Sequence, residues 1–327
     1  MNKYAVVLAA GKGTRMKSSL HKVLHQVLGK SMVDHAVTNL EKIGVDKIVT
    51  VIGYEAESVR AELQDRVEYA MQTEQLGTGH AVMMTKELLE GLDGVTIVTY
   101  GDVPLLTEQT ISNLFDYHQS QKAAITILTA CTDNPTGYGR IIRDEEGNVL
   151  RIVEQKDANT EELLVKEINT GVCCYDNKVL FEALTKITNN NSQGEYYLTD
   201  LVGIIRDMGL KVVAYVNEDF EETLGVNDRV QLAYAEKVLR KRINEFHMRN
   251  GVTIIDPEAT YIGTDVQIGQ DVIIYPGTMI TGPSIIANNV VIGANSQIIN
   301  STIGEHTTIN ASVISDSIIG ASTTVGP

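Results

Sequence analysis

Residues 8–16 read L-A-A-G-K-G-T-R-M, directly after the apolar run Tyr4–Val7, and Lys22 follows six residues beyond Met16. Small residues and glycines let backbone N–H groups approach phosphate oxygens. Lys12, Arg15, Lys17 and Lys22 supply fixed cations that such oxygens require. The chemistry this points to is the gripping of a nucleoside triphosphate. The stretch is not a Walker A loop, because G-x-x-x-x-G-K-[ST] is absent. Nor is it a dinucleotide fingerprint, because Met16 stands where the third glycine belongs. Asp102 follows the apolar run Val95–Tyr100 and Gly101; a carboxylate at a strand's carboxyl end suits a Mg²⁺ ligand, or simply a turn. Gln72 and the run Gln75–Ala81 form a second polar, glycine-bearing loop whose amide and backbone groups can read a base edge. Tyr138-Gly139-Arg140, Glu154-Gln155-Lys156, Asn169-Thr170-Gly171 and Gly225-Val226-Asn227 are further polar groups at turns; each alone is ordinary turn chemistry.

These groups need a frame. Strand patterns fall at 4–10, 47–53, 67–70, 94–100, 123–130 and 211–216, with helical patterns at 32–43, 80–90 and 107–120. Alternating β and α units predict a mostly parallel, helix-covered sheet whose ligands bind at the strands' carboxyl ends. Residues 228–248 read as one amphipathic helix with a stripe of Leu232, Ala235, Leu239, Ile243 and Phe246, joining two domains. Residues 251–327 hold no Lys or Arg, and isoleucine recurs every six residues from Ile262 to Ile298 before the register slips at Ile303. That is a hexapeptide repeat, the signature of a β-helical solenoid. The domains expected are therefore 1–227, a linker helix 228–250, and a solenoid 251–327. No capping sequence closes the solenoid, so C-terminal truncation is expected.

The formal net charge is −15, which argues against nucleic acid as a partner and makes any phosphate site local. No apolar run reaches 18 residues, so no membrane span is expected. Cys131, Cys173 and Cys174 are odd in number, and the adjacent pair would face opposite sides of a strand. Reduced thiols in a cytoplasmic protein fit this best.

Taken together, the motifs resemble a known family, the bacterial bifunctional N-acetylglucosamine-1-phosphate uridyltransferase and glucosamine-1-phosphate acetyltransferase. The matching segments are L-A-A-G-K-G-T-R-M (8–16), Lys22 in H-K-V-L-H, Q-T-E-Q-L-G-T-G-H-A (72–81), Y-G-D-V-P-L (100–105), G-Y-G-R (137–140), E-Q-K-D-A (154–158), I-N-T-G (168–171) and G-V-N-D-R (225–229). The first motif alone would specify only a sugar nucleotidyltransferase; the Q-L-G-T-G-H-A loop and the solenoid narrow it. The resemblance implies a Rossmann-like α/β domain with a mixed sheet, followed by a left-handed parallel β-helix. It also implies transfer of UMP from UTP to N-acetylglucosamine-1-phosphate, giving UDP-N-acetylglucosamine and pyrophosphate. By position, Leu8, Ala9, Ala10, Gly11, Gln72, Gly77 and Thr78 would hold the UDP moiety, with Gln72 and Gly77 on uracil. Arg15 and Lys22 would neutralise the triphosphate, and Asp102 and Asn227 would bind Mg²⁺. Tyr100, Gly101, Gly139, Glu154 and Asn169 would surround the amino sugar. His21 and Ser31 stand where prolines are common in the family; neither change removes a functional group.

The reaction needs positioning and charge neutralisation rather than an acid–base dyad, because the attacking sugar phosphate is already anionic. The family's second activity uses acetyl-CoA, yet 251–327 offers no cation for coenzyme A phosphates and only His306 as a base. Its acetyl-transfer residues are expected beyond Pro327, so this chain is expected to lack that activity. A homotrimer is expected by resemblance. The readings that remain open are another sugar-1-phosphate nucleotidyltransferase (ADP, GDP or UDP-glucose type) and a non-catalytic sensor or scaffold.

Overall fold

The structure, a computed structural model, describes residues 1–327. The chain forms two compact units: residues 1–25 with 32–228, and residues 26–31 with 229–327.

The first unit is built on a nine-stranded sheet. Its main order is Val212–Asn217, Ile125–Cys131, Glu167–Asp176, Val95–Tyr100, Lys3–Leu8, Lys47–Ile52 and Glu68–Met71. The central strands are runs of Val, Ile and Ala buried on both faces, as strands covered by helices on each side must be. Lys3–Leu8 pairs in parallel with both Lys47–Ile52 and Val95–Tyr100. Leu8 lies opposite Val51 and Tyr100, so three strands end level with one another and deliver their loops to one edge. Glu167–Asp176 runs antiparallel to both of its main neighbours, which makes the sheet mixed. On this strand Cys173 enters the core on one sheet face and Cys174 the core on the other. All three cysteines are free.

Some elements differ from the sequence reading. The expected helix 80–90 is two short helices, Thr78–Met83 and Lys86–Leu89. The break falls where the buried Thr85 hydroxyl donates to Val82 O at 2.7 Å, a local bond that competes with helix continuation. The hairpin Arg140–Arg143 with Val149–Val153, the strand Glu167–Asp176, and the helices Ala56–Leu63, Asn177–Leu184 and Leu201–Asp207 lie in stretches whose patterns went unread.

The second unit starts with the helix Arg229–Arg249. Its buried positions are Ala235, Val238, Asn244 and His247, whereas Phe246 is 63% exposed, so the predicted stripe is wrong at its end. The reason is polar: the Asn244 amide donates to Pro257 O and Thr260 O, and this places an asparagine on the packed face. The solenoid follows as three parallel sheets of two- and three-residue strands. Ile262, Ile280, Ile298 and Ile314 stack in one column and Ile274, Ile292 and Ile309 in another, all buried. The register slip at Ile303 is a shortened coil, with Ile286 opposite Ile303. His306 is exposed at a left-handed turn (φ 56°), a solvated corner residue. The hairpin Gln26–Val27 with Lys30–Ser31 belongs to this unit, and Lys30 Nζ reaches Asp265 at 2.8 Å. Its turn residues Leu28 and Gly29 both have positive φ, as a two-residue hairpin of this twist requires.

Candidate active site

The strand Lys3–Leu8 runs into Ala9, Ala10 and Gly11, and a Cβ placed on Gly11 would meet nothing within 4 Å. Backbone there is open to a ligand. Gly13 (φ 59°) turns the chain back so that a Cβ would meet Lys22 Cβ, which brings the loop tip against the short helix Lys22–Leu24. His21 Nε2 bonds Gly11 O at 2.9 Å, and burial holds the His21 imidazole below its ordinary pKa. A neutral His21 therefore donates from Nε2 and closes the loop at its other end.

Lys22 Nζ donates to Asp102 Oδ2 and, at 3.2 Å, to Asn227 Oδ1. Arg15 Nη2 donates to the same Asn227 oxygen at 2.9 Å. Asn227 is held there because Val226 N donates to Asp102 O at 2.8 Å. The two cations, the carboxylate and the amide oxygen, drawn from three distant parts of the chain, thus form one cluster. Lys12 and Lys17, read beside them as triphosphate cations, are exposed.

A cavity of about 230 Å³ adjoins this cluster, lined by Leu8, Ala9, Ala10, Gly11, Lys22, Gln72, Gly77, Thr78, Tyr100 and Asp102 among others. Gln72 is buried at the end of Glu68–Met71, its N–H bonded to Ile52 O at 2.8 Å. Gly77 has φ +108°, and a Cβ there would lie 2.6 Å from Tyr196 O. Tyr196 N–H donates to Leu76 O and Tyr196 O accepts from Gly79 N, both at 2.8 Å, and Leu198 N donates to Thr78 Oγ1 at 3.1 Å. The loop 195–198 therefore backs the whole 76–79 turn, and Glu195 joins the cavity wall.

Tyr100 also lines a second, small cavity with Asn169, Gly171 and Thr199. Asn169 N donates to Gly139 O at 2.9 Å, and Thr199 Oγ1 donates to Glu154 Oε1 at 3.2 Å. Burial raises the pKa of Glu154 and of the Tyr100 phenol. Gly139 and Glu154 are thus tied by hydrogen bonds to Asn169 and Thr199 in the wall of this second cavity. Gly101 lines neither cavity; a Cβ on it would meet Val33, Val23 and Ala9.

The sequence reading missed Val23, Ala81 and Glu195 in the wall, and left Gln75 and His80 unassigned within their loop. A signal for the Glu195 segment existed in G-E-Y-Y-L-T-D (194–200), which sets aromatic and polar residues side by side without helical or strand periodicity.

A cavity at level strand ends, beside a cation–carboxylate cluster and a second polar cavity, fits a nucleotidyltransferase. The family profile described as Nucleotidyl transferase matches residues 4–231, and Bacterial transferase hexapeptide (six repeats) matches 265–300. A curated relative, "Bifunctional protein GlmU" of Geobacillus sp., is 56% identical over all of this chain and 71% of its own length. Proteins with the same name from Pediococcus pentosaceus and Enterococcus faecalis are 56% and 55% identical, over 70% and 71% of their lengths and 100% of this chain. The chain belongs to the bifunctional GlmU family. Its reaction is uridylyl transfer that yields UDP-N-acetylglucosamine.

Proposed function

We propose that Leu8–Gly11, Arg15, Lys22, Gln72, Gly77, Thr78, Tyr100, Asp102, Gly139, Glu154, Asn169 and Asn227 form one site. There UTP and N-acetylglucosamine-1-phosphate react to give UDP-N-acetylglucosamine and pyrophosphate. The observation that carries this is the cluster of Arg15, Lys22, Asp102 and Asn227 at the mouth of the Gln72 cavity. The glycine loop and the two cations take the triphosphate, the Gln72–Gly77 turn takes the uracil, and Tyr100, Gly139, Glu154 and Asn169 surround the sugar. Arg15 and Lys22 are the catalytic cations: charge that develops on phosphate oxygens during in-line attack is met by groups already fixed in place.

The donor set fits Mg²⁺. Asp102 and Asn227 offer two hard oxygens that already converge on one cation, the Lys22 ammonium. A Mg²⁺ held by one or two protein oxygens completes its shell with water and substrate phosphates. Asp102 and Asn227 would hold the ion, which would neutralise phosphate charge and orient the triphosphate.

The solenoid is proposed to assemble as a homotrimer. Ile285, Val313 and Ile318 are exposed on its strands, an apolar load suited to a partner copy. Sedimentation as a monomer alone would overturn this. A cytoplasmic setting is proposed on the three free thiols; no helix is long and apolar enough to cross a membrane.

The deciding assay is Mg²⁺-dependent pyrophosphate release from UTP with three acceptors: N-acetylglucosamine-1-phosphate, glucosamine-1-phosphate and glucose-1-phosphate. Preference for the first is expected. Equal use of glucose-1-phosphate, or preference for ATP or GTP over UTP, would overturn the reading.

A further inference from the structure

Gln72 is 3% exposed, and its amide makes two bonds through one atom. Nε2 lies 3.2 Å from Gly77 O and 3.1 Å from His80 Nδ1. A backbone carbonyl only accepts, so the amide atom facing Gly77 must be the –NH₂ group; the orientation is not open to a flip. Both N–H bonds of that group are then used. His80 Nδ1 receives the second, so His80 must be the neutral tautomer with its proton on Nε2. No protein donor reaches Oε1, which is not among the buried polar atoms lacking a partner. Gln72 lines the cavity, so Oε1 is the atom it has left to offer a ligand.

From this geometry we infer that His80 is a specificity-determining positioning residue: by accepting from Gln72 Nε2, it presents Gln72 Oε1 as a pure acceptor to the base. The inference rests on the proposed placement of uracil at Gln72. Uracil carries an N3–H donor and satisfies that acceptor. Cytosine carries a lone pair at N3, and would set acceptor against acceptor. A site built around a fixed polar group rejects the base that leaves it unpaired. Gly77 O settles which amide atom is the –NH₂ group, but one bond leaves the amide plane free to tilt; the second bond, to His80 Nδ1, fixes that plane and so the direction in which Oε1 points. His80 is in turn fixed by the Thr78–Met83 helix and lies beside the Tyr196 ring (centroids 6.3 Å apart), on the loop that buttresses Gly77 and Gly79.

The test compares kcat/KM for UTP and CTP, with N-acetylglucosamine-1-phosphate, in the full chain and three variants. His80→Ala sits on a half-buried helix position where alanine is a good helix former, so folding is retained. It is expected to lower the UTP to CTP ratio on the order of tenfold, through KM for UTP with kcat little changed. His80→Asn, whose Oδ1 can replace Nδ1 as acceptor, is expected to recover most of the ratio. Gln72→Leu is expected to abolish it. Equal losses for UTP and CTP in His80→Ala, or no recovery in His80→Asn, overturn the role of His80 while Gln72→Leu still collapses discrimination. If Gln72→Leu leaves the ratio intact, the base is not read at Gln72, and the proposed uracil placement falls together with the inference.

Discussion

Lys22 Nζ bridges Asp102 Oδ2 and Asn227 Oδ1, the two oxygens proposed to hold the metal ion. The same lysine shares the wall of the cavity with the open backbone of Gly11. Lys22→Ala should have two opposite effects. Loss of a fixed cation from the reacting phosphates should raise the barrier by about 3 kcal/mol, roughly a hundredfold in turnover. Removal of a competing positive charge should tighten Mn²⁺ binding measured without nucleotide. Turnover within a few-fold of the parent, or weaker metal binding, would contradict the arrangement.

Gly11 and Gly77 separate ligand contact from backbone strain. A Cβ on Gly11 meets no protein atom within 4 Å, and Gly11 does not have positive φ. Gly11→Ala should leave thermal unfolding within about 0.5 kcal/mol of the parent and raise KM for UTP, because the methyl group enters ligand space. Gly77→Ala places a methyl 2.6 Å from a carbonyl oxygen at φ +108°, and should cost on the order of 1–3 kcal/mol in folding as well. Calorimetry beside UTP kinetics distinguishes the two; similar unfolding temperatures for both variants would contradict the steric argument.

Much of this site was legible because its chemistry is concentrated in short runs. The loop 8–16, the strand end at Asp102 and the isoleucine period each announce themselves by residue type at fixed spacing. What could not be read is whatever depends on a partner far along the chain. Asn227 joins Asp102 through a backbone bond from Val226; the family resemblance pairs the two, but nothing in G-V-N-D-R by itself states which carboxylate it will meet. The burial of Asn244 in place of Phe246 follows from carbonyls at Pro257 and Thr260 that only the folded chain brings near. Gly101 fits the motif by type, yet it serves packing against Val33 and Ala9.

Glu154 gives a pH signature. Burial, the larger influence, raises its pKa above the ordinary 4.5, and the hydrogen bond from Thr199 only partly offsets this. For a carboxyl raised on folding, the stabilising contribution is full below pH 4.5 and is lost as pH rises through the folded value. Glu154 therefore makes the fold less stable at neutral pH than in acid. Glu154→Gln should raise the unfolding temperature at pH 7, with the gain disappearing in acid, while KM for the sugar phosphate rises and KM for UTP stays near the parent. Unfolding curves at pH 4 and 7 check the first part; equal changes at both would contradict it.

The solenoid allows a graded test of its core. Ile292 is fully buried between Ile274 and Ile309 in one ladder, whereas Ile318 is 85% exposed. Ile292→Ala should cost about 3 kcal/mol, the transfer of the lost methylenes plus the cavity they leave. Ile318→Ala should change monomer stability by no more than about 0.5 kcal/mol. In a stack where each coil touches only its neighbours, the loss at Ile292 should open the coils beside it first. Hydrogen exchange should therefore speed up at Ile274 and Ile309 before the sheet around Val6 and Val98 responds, and uridylyl transfer at 25 °C should persist. Uniform loss of protection across the chain would show instead that the solenoid and the nucleotidyltransferase sheet unfold as one.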